Sequence, residues 1–480
     1  MKKRFLFQRA RIAWTSTLVH SVRATLNQRV NTSWVYRYLI DTCRRLATSL
    51  NKSLNSTWVQ GLPLGRYSLY LIFTSILCFV VLVPAPSYGA TGTTLTKPAK
   101  PLKSTLEVSG WVPYWRKATG TADALVHLDS FTEINPFGYT MKNDGTLNDT
   151  AKMDEEPWLT LKAEAKKKKI RFIPTVMSSN SEMLHRILSN KKTRIALEDE
   201  IANLVKEKGF DGIDIDFEGK RAETKPYFAT FLKGLYMRMG NKWVMCTIEA
   251  RTPLDSRYDN IPKDIRYAND FVAINKYCDR VRFMTYDQGT IDIVLNRART
   301  APYIPVADPA WVEKSIKLAM KDISKKKISI GIATYGYEYK VTKLSEYGYR
   351  YDLQWAFNPR YATDLAKSLN ITPTRNSSGE IGFMYLPERI QAGEPTTTTS
   401  LSLNGGDGSI AHADVNSIPT STVAENQSGG LIKEPVNIVW WSDAEAIKTK
   451  IDLAKKLGVR GVSLFKIDGG EDILMWEYLK

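Results

Sequence analysis

Residues 210–218 read Phe210-Asp211-Gly212-Ile213-Asp214-Ile215-Asp216-Phe217-Glu218. Asp214, Asp216 and Glu218 alternate with Ile213, Ile215 and Phe217, which is the period of a β-strand. On such a strand the three carboxyl groups project from one face, about 7 Å apart at each step, and the apolar groups from the other. A row of close carboxylates is costly unless protons are shared, because like charges and burial each raise at least one pKa. A carboxylic acid that keeps its proton near neutral pH can act as a general acid. A solvated edge strand or a cation site is the competing reading, and the flanking Ile and Phe side chains argue instead for a buried strand.

Working outward, strand-like runs at 107–114, 130–137, 170–176, 210–218, 243–249, 281–286, 328–334 and 461–465 alternate with helical stretches such as 158–169, 193–208 and 309–325. A last helix, 443–457, leads into the final run. Eight such strands predict an α/β fold, a (β/α)8 TIM barrel with a parallel sheet. The longer interval between the seventh and eighth strands, about 340–436, predicts a small α+β insertion with a helix at 360–369 and a strand at 382–386. Within it, 391–430 is dominated by Thr, Ser, Gly, Asn and acids and reads as a loop without fixed structure.

The chain has 480 residues and a formal charge of +17. Residues 1–68 hold twelve Lys or Arg against one acid, Asp41, so +11 of that excess lies there and +6 is left for the remainder. A nucleic-acid partner is therefore not expected of the barrel region. The uncharged run 69–83, LYLIFTSILCFVVLV, is short for a membrane span and right for a signal-peptide core. Ser87 and Gly89 have the small size that cleavage before Ala90 would need. The expected location is secreted or cell-envelope, with membrane attachment only through 69–83 if that segment is retained. The basic leader stays open to three readings: a true start near Leu62 or Leu64, an uncleaved anchor with a basic tail, or an organellar-type leader. Residues 90–105 read as a linker rich in Thr, Lys and Pro. Cys246 and Cys278 are the only cysteines beyond it. They are expected as two buried free thiols, with pairing reserved for the case in which adjacent strands bring them together. Neither they nor the four His residues make a metal-ligand spacing.

The acid pattern Asp211, Asp214, Asp216, Glu218 resembles the D-x-x-D-x-D-x-E signature of glycoside hydrolase family 18, the chitinase-like enzymes. Met284-Thr285-Tyr286-Asp287 resembles that family's M-x-Y-D segment on the sixth strand. Softer matches are Gly110-Trp111-Val112-Pro113-Tyr114-Trp115 on the first strand, Asn135-Pro136-Phe137-Gly138-Tyr139 on the second and Gly331-Ile332-Ala333-Thr334-Tyr335-Gly336 on the seventh. Within the family the chain looks most similar to the bacterial spore-germination and cortex-lytic type, without LysM repeats. Two segments depart from the pattern: 175–180 lacks the usual S-x-G-G, and Phe465 stands where many members carry a Trp.

The resemblance implies a retaining glycosidase acting on β-1,4-linked N-acetylglucosamine polymers, chitin-like or peptidoglycan, in which the substrate's own acetamide is the nucleophile. Carried over residue by residue, Glu218 is the acid and then the base. Asp216 holds the acetamido N–H, Asp214 shares its proton, and Tyr286 hydrogen-bonds the acetamido oxygen. Asp287 and Met284 would bind or line the sugar site, as would the rings of Trp111, Tyr114, Phe137, Tyr335 and Phe465. Asp211 is expected to be structural, and Glu249 and Arg251 are further charged candidates at the rim, with a salt bridge as the simpler reading. No metal or organic cofactor is implied, and a monomer is expected. A non-catalytic carbohydrate-binding protein is the alternative, disfavoured by retention of Glu218. A structural protein acting through the 391–430 loop has no specific support.

Overall fold

The computed structural model describes residues 106–345, 348–387 and 435–479. The leader at 1–68, the apolar segment 69–89, the linker 90–105 and the loop 391–430 lie outside the described residues. The strands in chain order are β1 (Glu107–Pro113), β2 (Glu133–Met141), β3 (Leu147–Asp149), β4 (Arg171–Phe172), β5 (Thr175–Ser178), β6 (Gly212–Phe217), β7 (Trp243–Glu249), β8 (Arg280–Met284), β9 (Ile328–Ala333), β10 (Gly336–Lys343), β11 (Tyr349–Phe357), β12 (Thr374–Arg375), β13 (Ile381–Tyr385), β14 (Val436–Trp441) and β15 (Gly461–Phe465).

Eight of them, β1, β2, β5, β6, β7, β8, β9 and β15, pair in parallel in that order, and β15 returns to β1 to close the barrel. This is the (β/α)8 architecture expected from the alternation of strands and helices. The insertion is a five-stranded antiparallel sheet, β11-β10-β14-β13-β12, packed with the helix Pro359–Ser368. It runs from Gly336 to Trp441, a few residues wider at each end than the sequence suggests. The reason is that β10 follows directly on β9, and β14 ends just before the last helix, so two long strands carry the chain out of the barrel and back.

The β6 alternation is explained by two different environments. Ile213, Ile215 and Phe217 face outward and are fully buried, Phe217 packing on Phe228 and Phe231 of the helix Lys225–Met239. Asp214 and Asp216 face the barrel axis and are also buried. The last helix, Ala444–Leu457, shows how local sequence sets its ends. Asp443 caps it by accepting from Ala446 N, and Gly458, in the left-handed conformation (φ 64°, ψ 31°), stops it before β15.

The barrel interior holds several buried charged side chains. At its N-terminal end Glu107 binds Arg280 and Arg460, and Glu133 binds Arg171 and Arg282. Burial opposes ionisation of Glu107, but Arg280, Arg171 and Arg460 outweigh it and hold the carboxyl at about 2. A small cavity lies among these side chains, at the end of the barrel opposite the β6 acids. Above this layer the hydroxyls of Ser109, Ser463 and Ser329 form a hydrogen-bonded row at 2.7 and 2.8 Å.

The cysteine expectation is corrected: Cys246 and Cys278 form a disulfide, with Cα atoms 5.9 Å apart. Cys246 lies on the outward face of β7, and Cys278 ends the helix Phe271–Tyr277 immediately before β8, so the helix delivers one thiol over the other. The bond closes a loop of 32 residues, and in the chain-entropy account a loop of that size contributes about 3–4 kcal/mol. Replacing both cysteines with Ala should lower the denaturation midpoint by a corresponding amount, read by chemical unfolding. An unchanged midpoint would mean the bridge carries no stability.

Candidate active site

Toward the C-terminal rim the two inward acids of β6 and the Glu218 that follows it differ in what surrounds them. Asp214, the deepest, is fully buried. Burial lifts its pKa to about 6, against hydrogen bonds from Trp111, Thr247 and Thr175. Trp111 Nε1 and Thr175 Oγ1 donate to Oδ2 at 3.0 and 2.9 Å, and Thr247 Oγ1 donates to Oδ1 at 2.9 Å. Arg282 Nη1 sits 2.9 Å from Oδ2 without hydrogen-bond alignment, adding a positive charge beneath the carboxyl.

Asp216 lies one step higher, facing Met177 on β5 and Thr247 on β7. Burial, then the Glu218 and Asp214 carboxyls, push its pKa well above the ordinary aspartate range. Its Oδ1 is buried and has no hydrogen-bond partner. A buried acceptor without a donor is costly, so this oxygen is a natural place for a ligand N–H or O–H.

Glu218 follows the end of β6, its backbone N–H still paired to Ser178 O at 2.9 Å. Burial first, then the negative charges of Glu249 and Asp287, raise its pKa to about 7, while Lys220 and a hydrogen bond with Asp216 act the other way. An acid half-protonated at neutral pH is thus held at the rim.

Tyr286 is buried within an aromatic cluster separate from the main core, with Val306, Ala333 and Tyr335, against which Met284, Tyr337 and Phe465 pack. Burial, then Asp216, Asp287, Glu218 and Asp214, hold its phenol neutral, so it is a hydrogen-bond donor facing the whole acid group. The ring fits because β9 carries Gly331 beside it. A Cβ there would meet Phe283 O at 2.3 Å and Tyr286 Cε1 at 2.9 Å. Asp287 accepts from Tyr335 and Tyr337 hydroxyls at 2.5 and 2.6 Å.

The aromatic candidates separate. Phe465 is the hub of these rings, stacked on Tyr286 at 5.7 Å and in contact with Trp111, Phe137 and Tyr335. Phe137 and Tyr335 are buried against it. Tyr114 meets Trp115 edge-on at 4.9 Å and packs partly on the main core. Trp111 has a second, structural task. It is 2 % exposed, and its indole N–H is committed to Asp214, so it supports the acid row from below. Asp211 is at the opposite end of β6, where its Oδ2 accepts from Phe172 N at 2.9 Å.

Sequence reasoning missed Arg282, Thr175 and Thr247, which surround Asp214. Arg282 carried a readable signal: a charged residue between Val281 and Phe283, two positions before Met284, must face the axis of a parallel barrel. Glu249 pairs with Lys220 at 3.7 Å and not with Arg251, whose guanidinium stacks on Phe271 and Tyr267 at 3.7 and 4.0 Å. Among the described residues no group of three or more His, Cys, Asp or Glu side chains is arranged to hold a metal ion.

Fold and site together define a class: a (β/α)8 barrel with a row of buried carboxyls of raised pKa toward its C-terminal rim, the layout of barrel enzymes that work by proton transfer. The Glycosyl hydrolases family 18 model matches residues 110–470, and the chain belongs to this family of glycosidases. It is 24 % identical over 326 residues to the uncharacterized glycosylase YvbX of Bacillus subtilis (strain 168), covering 66 % of this chain and 76 % of the relative. Its fold is similar to that of the spore cortex-lytic enzyme SleL of Bacillus megaterium QM B1551, with TM-score 0.56, 22 % identity, and coverage of 80 % and 75 % of the two chains. A class V chitinase from Pseudomonas fluorescens Pf-5 superposes with TM-score 0.57 at 19 % identity, covering 78 % and 98 %.

Proposed function

We propose that this glycosidase is exported and cleaves β-1,4-linked N-acetylglucosamine-containing glycans, chitin-like or peptidoglycan, with retention and with the substrate's acetamide as nucleophile. The observation that carries the reading is the unpartnered, buried Oδ1 of Asp216 between an acid of raised pKa, Glu218, and a neutral phenol, Tyr286. An N-acetylglucosaminide offers what these three lack: an acetamido N–H for Asp216, an acetamido carbonyl oxygen for the Tyr286 hydroxyl, and a glycosidic oxygen to take the Glu218 proton. In the first step the glycosidic C–O bond breaks as Glu218 protonates its oxygen, and the acetamido carbonyl oxygen bonds to the anomeric carbon. The resulting oxazolinium carries a positive charge that Asp216 stabilises. Water then attacks the anomeric carbon, gives its proton to Glu218, and the ring opens with the original configuration. Export is supported by the Cys246–Cys278 bridge, since disulfides persist in oxidising compartments.

The test is hydrolysis of an N-acetylglucosamine oligomer, with the first-formed anomer read by NMR. The β-anomer is expected from β-linked substrate, and an oligomer of plain glucose should be left intact because it has no acetamide. Cleavage of the glucose oligomer, or inversion, would remove the substrate-assisted mechanism. Parallel digestion of purified chitin and peptidoglycan assigns the polymer. The pH dependence follows from Glu218. It must be protonated to donate, so kcat/KM should fall as pH rises through about 7, and by about tenfold per unit beyond that. A rate flat to pH 9 would show that the proton comes from elsewhere.

A further inference from the structure

Glu249 ends β7 beside the acid row, and each of its oxygens has a designated partner. Oε1 accepts from the backbone N–H of Gly219 at 2.9 Å, and Oε2 accepts from Asn269 Nδ2 at 2.7 Å with Lys220 Nζ at 3.7 Å. Gly219 and Lys220 are the two residues that follow Glu218. Gly219 takes the left-handed conformation (φ 60°) that turns the chain away from the strand. Lys220 is buried, its ammonium bonded to Phe217 O and 4.8 Å from the Phe228 ring. A carboxylate from the neighbouring strand therefore grips both residues of the turn that carries Glu218.

We propose that Glu249 is a positioning residue for Glu218: with Lys220 it forms a fixed charge pair that clamps the turn after the acid and keeps a permanent negative charge beside it. The inference rests on the reading of Glu218 as the proton donor and adds the device that holds that proton. Glu249 stays ionised although burial opposes it, because Lys220, Asn269 and Gly219 hold its carboxyl below the usual range. Its charge opposes ionisation of Glu218 more than any other neighbour's, whereas Lys220 favours it. The other groups facing Glu218 are Asp216 on β6, and Tyr286 and Asp287 after β8. Glu249 and Lys220 are the two with opposite charge and a shared contact, so the sign of their effects can be separated.

The near-isosteric Glu249→Gln can keep the Gly219 bond. Asn269 can turn its amide to receive the new N–H, because its own Oδ1 is buried without a partner. In the full chain, Glu249→Gln should move the alkaline limb of kcat/KM to lower pH by about one unit, and Lys220→Met should move it to higher pH by a similar amount. The double variant should return the limb close to that of the wild type, because both charges leave together. A structural role alone would lower activity at all pH values without moving the limb. Limbs that stay fixed, or that shift in the same direction in both single variants, would overturn the proposal. The Glu218 carboxyl can also be titrated by 13C NMR, its signal assigned by loss in Glu218→Gln. If the wild type hydrolyses nothing, the functional reading fails, and the NMR titration still decides this one by the same opposite shifts.

Discussion

Glu218→Gln should reduce kcat on an N-acetylglucosamine oligomer by about 10²- to 10⁴-fold, the range lost when a positioned general acid is removed. KM should change little. The amide keeps the size of the carboxyl and can still hydrogen-bond, but it has no proton to give to the leaving oxygen. The effect should be largest below pH 7, where the native side chain is protonated. The fold should survive, because Glu218 sits beyond the last ladder position of β6 and its backbone bond to Ser178 does not involve the side chain. Steady-state kinetics at pH 6, with oligomer binding as a control for the site, provide the check. A variant that retains native kcat would remove Glu218 from the chemistry altogether.

Asp216→Asn should cost about 10²- to 10³-fold in kcat, the loss typical of removing one preorganised electrostatic partner of a charged intermediate. Asp216 is a different case from Glu218 because it transfers no proton to the leaving group. Its free Oδ1 would accept the acetamido N–H, and the carboxylate formed once Asp216 gives up its proton would oppose the charge that develops on the cyclised amide. An asparagine can retain one oxygen but loses the charge. It also brings an NH₂ group toward Glu218 in place of the carboxyl that now hydrogen-bonds it. Asp214 cannot substitute from below, since both its oxygens are already engaged by Trp111, Thr175 and Thr247. The measurement is kcat against the same oligomer, compared with the affinity for a cyclic, positively charged mimic of the intermediate. Both should fall together, because both depend on the missing charge. A loss confined to KM would instead assign Asp216 to ground-state binding.

Where neighbours in sequence are also neighbours in the physics, the sequence was legible. The period-two alternation in 212–217 specified a strand with two occupied faces, and that strand is β6 with helices outside and a polar axis inside. The runs 243–249 and 461–465 coincide with β7 and β15 because the apolar stretch is continuous and the flanks are abrupt. The run 170–176 is less regular: it divides into β4 and β5 around Ile173 and Pro174, where Pro has no N–H to offer the ladder. Residue type and spacing also pointed to Asp214, Asp216 and Glu218, and the family resemblance to Tyr286; the barrel brings the four near one another.

By itself, then, the chain of residues determined that strands and helices alternate eight times and that one strand carries its acids inward. It could not decide what stands opposite those acids. Trp111, Thr175, Thr247 and Arg282 reach Asp214 from four other strands, and Glu249 reaches Gly219 and Lys220 across the β6–β7 pairing. The same holds for the bond between Cys246 and Cys278, which depends on where a helix sets down before β8. The physical reason is that these contacts depend on register around a closed barrel. A shift of one residue in any strand turns its side chains to the other face, so partners distant in sequence are set only when the ring of eight strands closes.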